Sequence, residues 1–239
     1  MTREDLNQRV SAAVRQFWQT RTGQATQTSS QGGGRDSVVG GKQMDGFVDL
    51  VAALLEESGL PDASIHRRGR DLTLPGFFRP TKNWDLIVVA DDKLIASIEF
   101  KSQVGSFGNN YNNRTEEALG NATDLWTAFR EGAFEGSPKP WLGWLMLLER
   151  SEKSTTAVRV SEPFFDVFPE FKGASYVERY SLLCKKLVRE RLYDAACLIV
   201  SDSQRGRNGE FDEPEEEIGF TAFASSLLGA ASAYAQFRR

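Results

Sequence analysis

The chain has 239 residues, 40% of them hydrophobic and 26% charged, which suits one globular domain with a sizeable core. Two lone cysteines, Cys184 and Cys197, and one histidine, His66, exclude a disulfide framework and a zinc site, which needs about four Cys/His ligands. Ser-His-Asp and His-based nuclease chemistry lack residues too, and His66 reads as structural or exposed. The net charge of −4 is local, because Glu210, Asp212, Glu213, Glu215, Glu216 and Glu217 fall in one segment and the rest is slightly positive. Charge therefore argues neither for nor against a polyanionic partner.

Met1–Leu6 has no apolar signal core, so a reducing cytoplasm is the default. Leu6, Val10, Val14 and Phe17 predict a first helix over 4–19. Residues 20–42 read as a long Gln/Thr/Ser/Gly loop. The phosphate-loop spacing is absent there, since Gln43 follows Lys42. A second helix is predicted over 43–58, with Asp45, Asp49 and Glu56 together opposite its apolar face. Residues 65–82 form a basic, irregular stretch carrying Arg67, Arg68, Arg70, Arg79 and Lys82.

Strands follow at 84–90 and 94–101, then a helix from about Thr115 to Phe134, a buried strand at 141–149, a helix at 176–193 and a buried strand at 195–201. Ile218–Phe237 carries no charge, yet Phe220, Phe223, Leu227, Ala231 and Tyr234 share one face, and polar or small residues the other. That pattern predicts an amphipathic helix on a core or a subunit, not a membrane span. The strand–helix–strand order predicts a mixed α/β fold, one domain over 1–239, with helices packed on a central sheet.

The chemistry concentrates in 84–101, WDLIVVADDKLIASIEFK, which reads as a hairpin turning at Asp91-Asp92-Lys93. A turn centred on Asp92 pairs Leu86 with Ile98, Val88 with Ala96 and Ala90 with Leu94, all on one apolar face. The same register sets Asp85 opposite Glu99, with Lys101 two residues on. Facing carboxylates with Cβ atoms ~5 Å apart repel. A divalent cation between them removes the conflict, and Mg²⁺ is held by one or two carboxylates plus water and phosphate. Asp85 and Glu99 are then the metal ligands, and Lys101 orients or deprotonates water or stabilises developing charge. The alternative is a solvated, ion-paired hairpin edge.

The triple resembles the PD-(D/E)xK nuclease motif, with Trp84 where that motif has Pro. Over nearly its whole length the chain resembles the XhoI-type restriction endonucleases. The resemblance rests on AVRQFWQTR (13–21), GGKQMDGF (40–47), FFRPTKNWDL (77–86), IEFKSQVGSFGNNYNNRTEEALGNATDLW (98–126) and PWLGWLMLLE (140–149). It implies a bacterial, Mg²⁺-dependent type II enzyme with a restriction-endonuclease-like core, acting as a homodimer on duplex DNA. The implied site is CTCGAG, cut after the first C to leave a 5′ overhang, with a cognate methyltransferase protecting the host. A repair or recombination nuclease and a non-catalytic DNA-binding module of the same fold are the alternatives.

Gln103, Asn109, Asn110, Asn112, Asn113 and Arg114 follow the lysine and suit base-edge readout. They also suit an Asn-rich turn capped by Thr115. Arg79 and Lys82 precede Asp85 and suit phosphate contact, and Arg67, Arg68 and Arg70 suit it less clearly. All five also read as a solvated basic loop. Arg205 and Arg207 suit a DNA groove or balance the acidic run, itself read as a solvated loop. Asp49 or Glu56 is a candidate extra acid for the metal site, against a plain solvated helix face. The dimer surface is sought on the 218–237 helix or the first helix.

Overall fold

Side chains that alternate along nearly continuous apolar strands divide the core in two. The computed structural model describes residues 2–28 and 42–237. Its order is α1 (Arg3–Thr28), α2 (Asp45–Glu57), β1 (Ile65–His66), β2 (Thr73–Pro75), β3 (Thr81–Asn83), β4 (Leu86–Ala90) and β5 (Lys93–Gln103). Then come α3 (Phe107–Arg130), β6 (Trp141–Glu149), α4 (Glu152–Thr155), α5 (Tyr176–Arg189), β7 (Ala195–Ser201) and α6 (Phe220–Phe237). The central sheet runs β1-β4-β5-β6-β7, and β2 and β3 form a separate ribbon. β1–β4 and β4–β5 are antiparallel, while β5–β6 and β6–β7 are parallel.

β6 shows why the sheet lies in the middle. Trp141, Leu145 and Leu147 pack with α1, α2 and α6, whereas Leu142, Trp144, Met146 and Leu148 pack with α3 and α5. A parallel strand buried on both faces reads as a continuous apolar run, as WLGWLMLLE does. Gly143 is required at its position, because a Cβ there would lie 2.3 Å from the Trp141 ring. The expected mixed α/β architecture with helices on both sides of the sheet is what the chain adopts.

The β4–β5 hairpin departs from the expected register at its tip. Leu86–Ile98 and Val88–Ala96 pair as expected, but Val89 pairs with Leu94 and Ala90 with Lys93. Asp91 and Asp92 both have positive φ, 52° and 59°, making a two-residue turn that suits the twist of a hairpin. The turn is therefore one residue tighter than Asp91-Asp92-Lys93, and Ile95 is accommodated as a bulge. Leu94 consequently joins the α3/α5 face rather than the row of Leu86, Val88 and Ala96.

Other boundaries move for tertiary reasons. α1 continues through residues 20–28, expected as loop; residues 29–41 of that loop lie outside the described residues. α3 begins eight residues before Thr115, so the Asn-rich stretch is helical rather than a turn. Asparagine disfavours helix, but Phe107 stacks on Tyr176, and Tyr111 packs edge-on against Tyr180, which fixes the first turns. Thr115 is no cap; its hydroxyl donates to the Tyr111 carbonyl within the helix.

α6 buries Phe220, Phe223, Leu227 and Ala231 within its own chain. α1 likewise spends Leu6, Val10, Val14 and Phe17 on the core, so neither helix offers its apolar face to a second subunit. Among the described residues no helix is long and apolar enough to cross a membrane. The acidic run is not simply solvated. Glu210 pairs with Arg205, Asp212 with Arg150, Glu215 with Lys185, Glu216 with Arg3 and Glu217 with Arg189.

Candidate active site

Asp85 sits in the bend just before β4, and Glu99 and Lys101 lie two residues apart on β5, on the sheet face that α3 covers. The three side chains converge. Lys101 Nζ is 3.5 Å from Glu99 Oε1 and 3.7 Å from Asp85 Oδ2. The Phe100 backbone N–H donates to Asp85 Oδ2 at 2.8 Å, fixing the Asp85 carboxylate across the strand pair. Glu99 has no exposed surface, whereas the Asp85 side chain is 40% exposed. A solvated, ion-paired edge therefore does not describe Glu99; the site is a half-open mouth with a buried floor.

Burial raises the Asp85 carboxyl above its ordinary range, against the opposing pull of Lys101 and the Phe100 N–H. Burial acts on Glu99 in the same direction, but Lys101, Lys82 and Asn121 outweigh it and hold Glu99 below its ordinary value. Burial opposes the charge on Lys101, yet Glu99 and Asp85 prevail and raise its pKa. At neutral pH the floor is a carboxylate beside an ammonium.

Two neighbours complete the floor. Lys82, expected at phosphate, forms an ion pair with Glu99 Oε1 and lies 4.6 Å above the Trp84 ring. Asn121 Nδ2 donates to Glu99 Oε2 at 2.8 Å. Asn121 Oδ1 in turn accepts from Arg79 Nη2 at 2.5 Å, and Arg79 Nε donates to Asp124 Oδ2 at 2.7 Å. Asp124 Oδ1 receives the backbone N–H groups of Phe77 and Phe78, each at 2.8 Å. Asn121 and Asp124 escaped the sequence reading. Their signal was spacing: Arg114, Glu117, Asn121 and Asp124 recur every three or four residues, so they share one face of α3.

The donor set fits a hard divalent cation. Glu99 Oε1 is buried and carries the ion pairs to Lys82 and Lys101, positions that a cation of higher charge can share or take. Asp85 offers a second carboxylate at the open side. Among the described residues no group of three or more His, Cys, Asp or Glu could hold a metal. Two carboxylates completed by water suit a hard divalent cation that keeps part of its hydration shell.

The remaining candidates divide. Asp49 and Glu56 are not brought to this cluster; they pair with Arg68 and Arg67 on α2. Gln103 is buried and bonded to the Tyr180 hydroxyl and the Gly105 and Ser106 carbonyls, so base reading is not open to it in this arrangement. Asn109, Asn112 and Asn113 are exposed on the first turns of α3, and Asn110 is half-buried. Arg114 pairs with Glu117, and both act electrostatically on Lys101. Arg205 is tied to Glu210 and Asp212, and exposed Arg207 donates to Thr22 Oγ1. Cys184 and Cys197 are buried and free, and burial pushes both thiols up, so neither is a nucleophile.

A mixed five-stranded sheet between helices, with Asp85, Glu99 and Lys101 gathered at the β4–β5 hairpin, defines a restriction-endonuclease-like protein. The model of the restriction endonuclease XhoI family matches residues 19–213, and the chain belongs to that family. It is 51% identical over 202 residues to the type II restriction enzyme BstVI of Geobacillus stearothermophilus, covering 82% of this chain and 90% of that one. It is 52% identical over 179 residues to the type II restriction enzyme XhoI of Xanthomonas vasicola, covering 73% and 72%. To the type II restriction enzyme AbrI of Azospirillum brasilense it is 49% identical over 166 residues, covering 67% and 74%. No solved structure matches. Membership makes the chain a type II restriction enzyme, a site-specific DNA endonuclease.

Proposed function

We propose that this enzyme is a Mg²⁺-dependent homodimer that cuts both strands of duplex DNA at CTCGAG, after the first C, leaving 5′ overhangs. The observation that carries the chemistry is the convergence of one ammonium, Lys101, on two carboxylates, Asp85 and Glu99. The site and cut position rest on the resemblance to XhoI-type enzymes. A two-fold sequence suits a two-fold protein with one active centre per strand. In a cell it would work in the cytoplasm beside a methyltransferase that modifies the same sequence.

Asp85 and Glu99 would hold the cation, which when bound supplies Lewis acidity and lowers the pKa of water. Glu99, buried and kept ionised, anchors it from the floor. Asp85, at the mouth, is neutralised least in the free protein and gains most from a cation. Lys101 Nζ stays charged and lies beside both carboxylates, where it can orient the attacking water and oppose negative charge developing on phosphorus. The exposed asparagines at the start of α3, and Arg114, which acts electrostatically on Lys101, are proposed DNA contacts. Arg79 and Lys82 serve the floor of the site.

Incubation of a defined DNA carrying one CTCGAG with the protein and Mg²⁺, followed by end mapping, tests the reading. Two fragments ending after the first C, absent with EDTA, support it. Uncut DNA removes the nuclease assignment, and ends scattered over other sequences favour a repair-type nuclease of the same fold. Sedimentation on an uncleaved duplex tests the dimer.

A further inference from the structure

We propose that Asn121 is a positioning residue for Glu99, locked by Arg79, and that it reserves a single Glu99 oxygen for the cation. Asn121 is 7% exposed and faces two groups of opposite hydrogen-bonding type. The guanidinium of Arg79 only donates, and the carboxylate of Glu99 only accepts. The amide therefore has one permitted orientation, with Oδ1 on Arg79 Nη2 at 2.5 Å and Nδ2 on Glu99 Oε2 at 2.8 Å. A flipped amide would set oxygen against carboxylate and N–H against guanidinium.

The consequence falls on the two Glu99 oxygens. Oε2 is held by the neutral Asn121 amide, whereas Oε1 is ion-paired with Lys82 and Lys101. A carboxylate held through one oxygen has restricted rotation, so it favours one direction for the other oxygen. Partners of this kind behind a metal ligand typically set affinity by about 10–100-fold. Arg79 is itself held: Asp124 binds its Nε at 2.7 Å and fastens the Phe77-Phe78 backbone with its other oxygen. The clamp thus runs from the β2–β3 ribbon tip through α3 to the floor of the site, and its sense is set by charge at each end.

The inference rests on the proposed metal role of Glu99, and its test separates the two. Full-length Asn121→Ala, Arg79→Ala and the double variant are compared with wild type in three measurements: Mn²⁺ binding to the DNA-free protein by EPR, Mg²⁺ dependence of cleavage, and thermal melting. Asn121→Ala should weaken Mn²⁺ binding and raise the Mg²⁺ concentration for half-maximal rate by about 10-fold or more. Arg79→Ala should shift both in the same direction by less, and the double variant should be no worse than Asn121→Ala, because Arg79 acts through Asn121. The Arg79 side chain is 42% exposed, so that variant keeps its fold if Asn121→Ala does not. Wild-type metal dependence in folded Asn121→Ala, or in Arg79→Ala, overturns the proposal. Additive losses overturn the relay through Arg79. If wild type binds Mn²⁺ but cuts no DNA, the nuclease reading fails while the Mn²⁺ arm still decides the role of Asn121.

Discussion

Lys82 and Lys101 reach the same oxygen, Oε1 of Glu99, from β3 and β5. One buried carboxylate thus serves two ammonium groups, and the surplus of positive charge keeps Glu99 ionised. A carboxyl whose folded pKa is depressed contributes stability above its unfolded value, lost as pH falls through the folded one. Lys82→Met removes one of the two cations and narrows that depression. The variant should therefore unfold at a higher pH than wild type on acidification, followed by far-UV circular dichroism without added metal. An unchanged or lower acid midpoint would show that Lys101 alone sets the Glu99 charge.

Glu99→Ala and Lys101→Ala differ in what they leave behind. Either should lower cleavage by about 10²–10³-fold or more, as loss of a charge-stabilising group does. Glu99→Ala also strands Lys82, Lys101 and Asn121 Nδ2 around a void, which for a broken buried pair costs about 3–5 kcal/mol. Lys101→Ala leaves Glu99 paired with Lys82 and should melt closer to wild type. Plasmid nicking and thermal melting measured together check both, and near-wild-type cutting by either variant would displace the residue from the active centre.

The strands at 141–149 and 195–201 were readable because a strand buried on both faces leaves an uninterrupted apolar run. The clustering of the candidate residues Asp85, Glu99 and Lys101 was readable because the period of two places Glu99 and Lys101 on one face. The hairpin tip was not, because the pairing slip comes from backbone twist at Asp91-Asp92 rather than from hydrophobic pattern. The first turns of α3 were hidden for another reason: asparagine propensity points away from helix, and the aromatic contacts that overrule it come from α5, distant in sequence. Lys82 read as a phosphate contact or as part of a solvated basic loop because sequence carries no depth; only the folded ribbon shows it turned inward onto Glu99.

The acidic segment before α6 has a local task that predicts a stability effect. Glu213 Oε1 accepts the Phe220 backbone N–H at 2.6 Å, satisfying one of the open donors at the start of that helix. Negative charge there also favours the helix dipole. Glu213→Ala should cost about 0.5–2 kcal/mol, the range for a lost N-terminal cap. Denaturant unfolding would show it as a lower midpoint with unchanged slope. Cleavage at saturating Mg²⁺ should stay near wild type, because no Glu213 contact reaches Glu99 or Lys101.

Gly76 offers a way to disturb the clamp without touching its side chains. A Cβ at Gly76 would lie 2.5 Å from Asp124 Oδ2 and 2.6 Å from the Arg79 carbonyl, closer than real Cβ atoms approach. Gly76→Ala must therefore push the Asp124 carboxylate or the ribbon aside. Asp124 is the group that holds Arg79, and Arg79 orients Asn121 against Glu99. The expected outcome is a loss of about 1–3 kcal/mol, as overpacking gives, together with a raised Mg²⁺ requirement for cleavage. Gly229→Ala, whose Cβ would meet nothing within 4 Å, is the matched control. A Gly76→Ala protein that loses stability but keeps the wild-type Mg²⁺ midpoint would show that the ribbon tip and the Glu99 floor are mechanically separate.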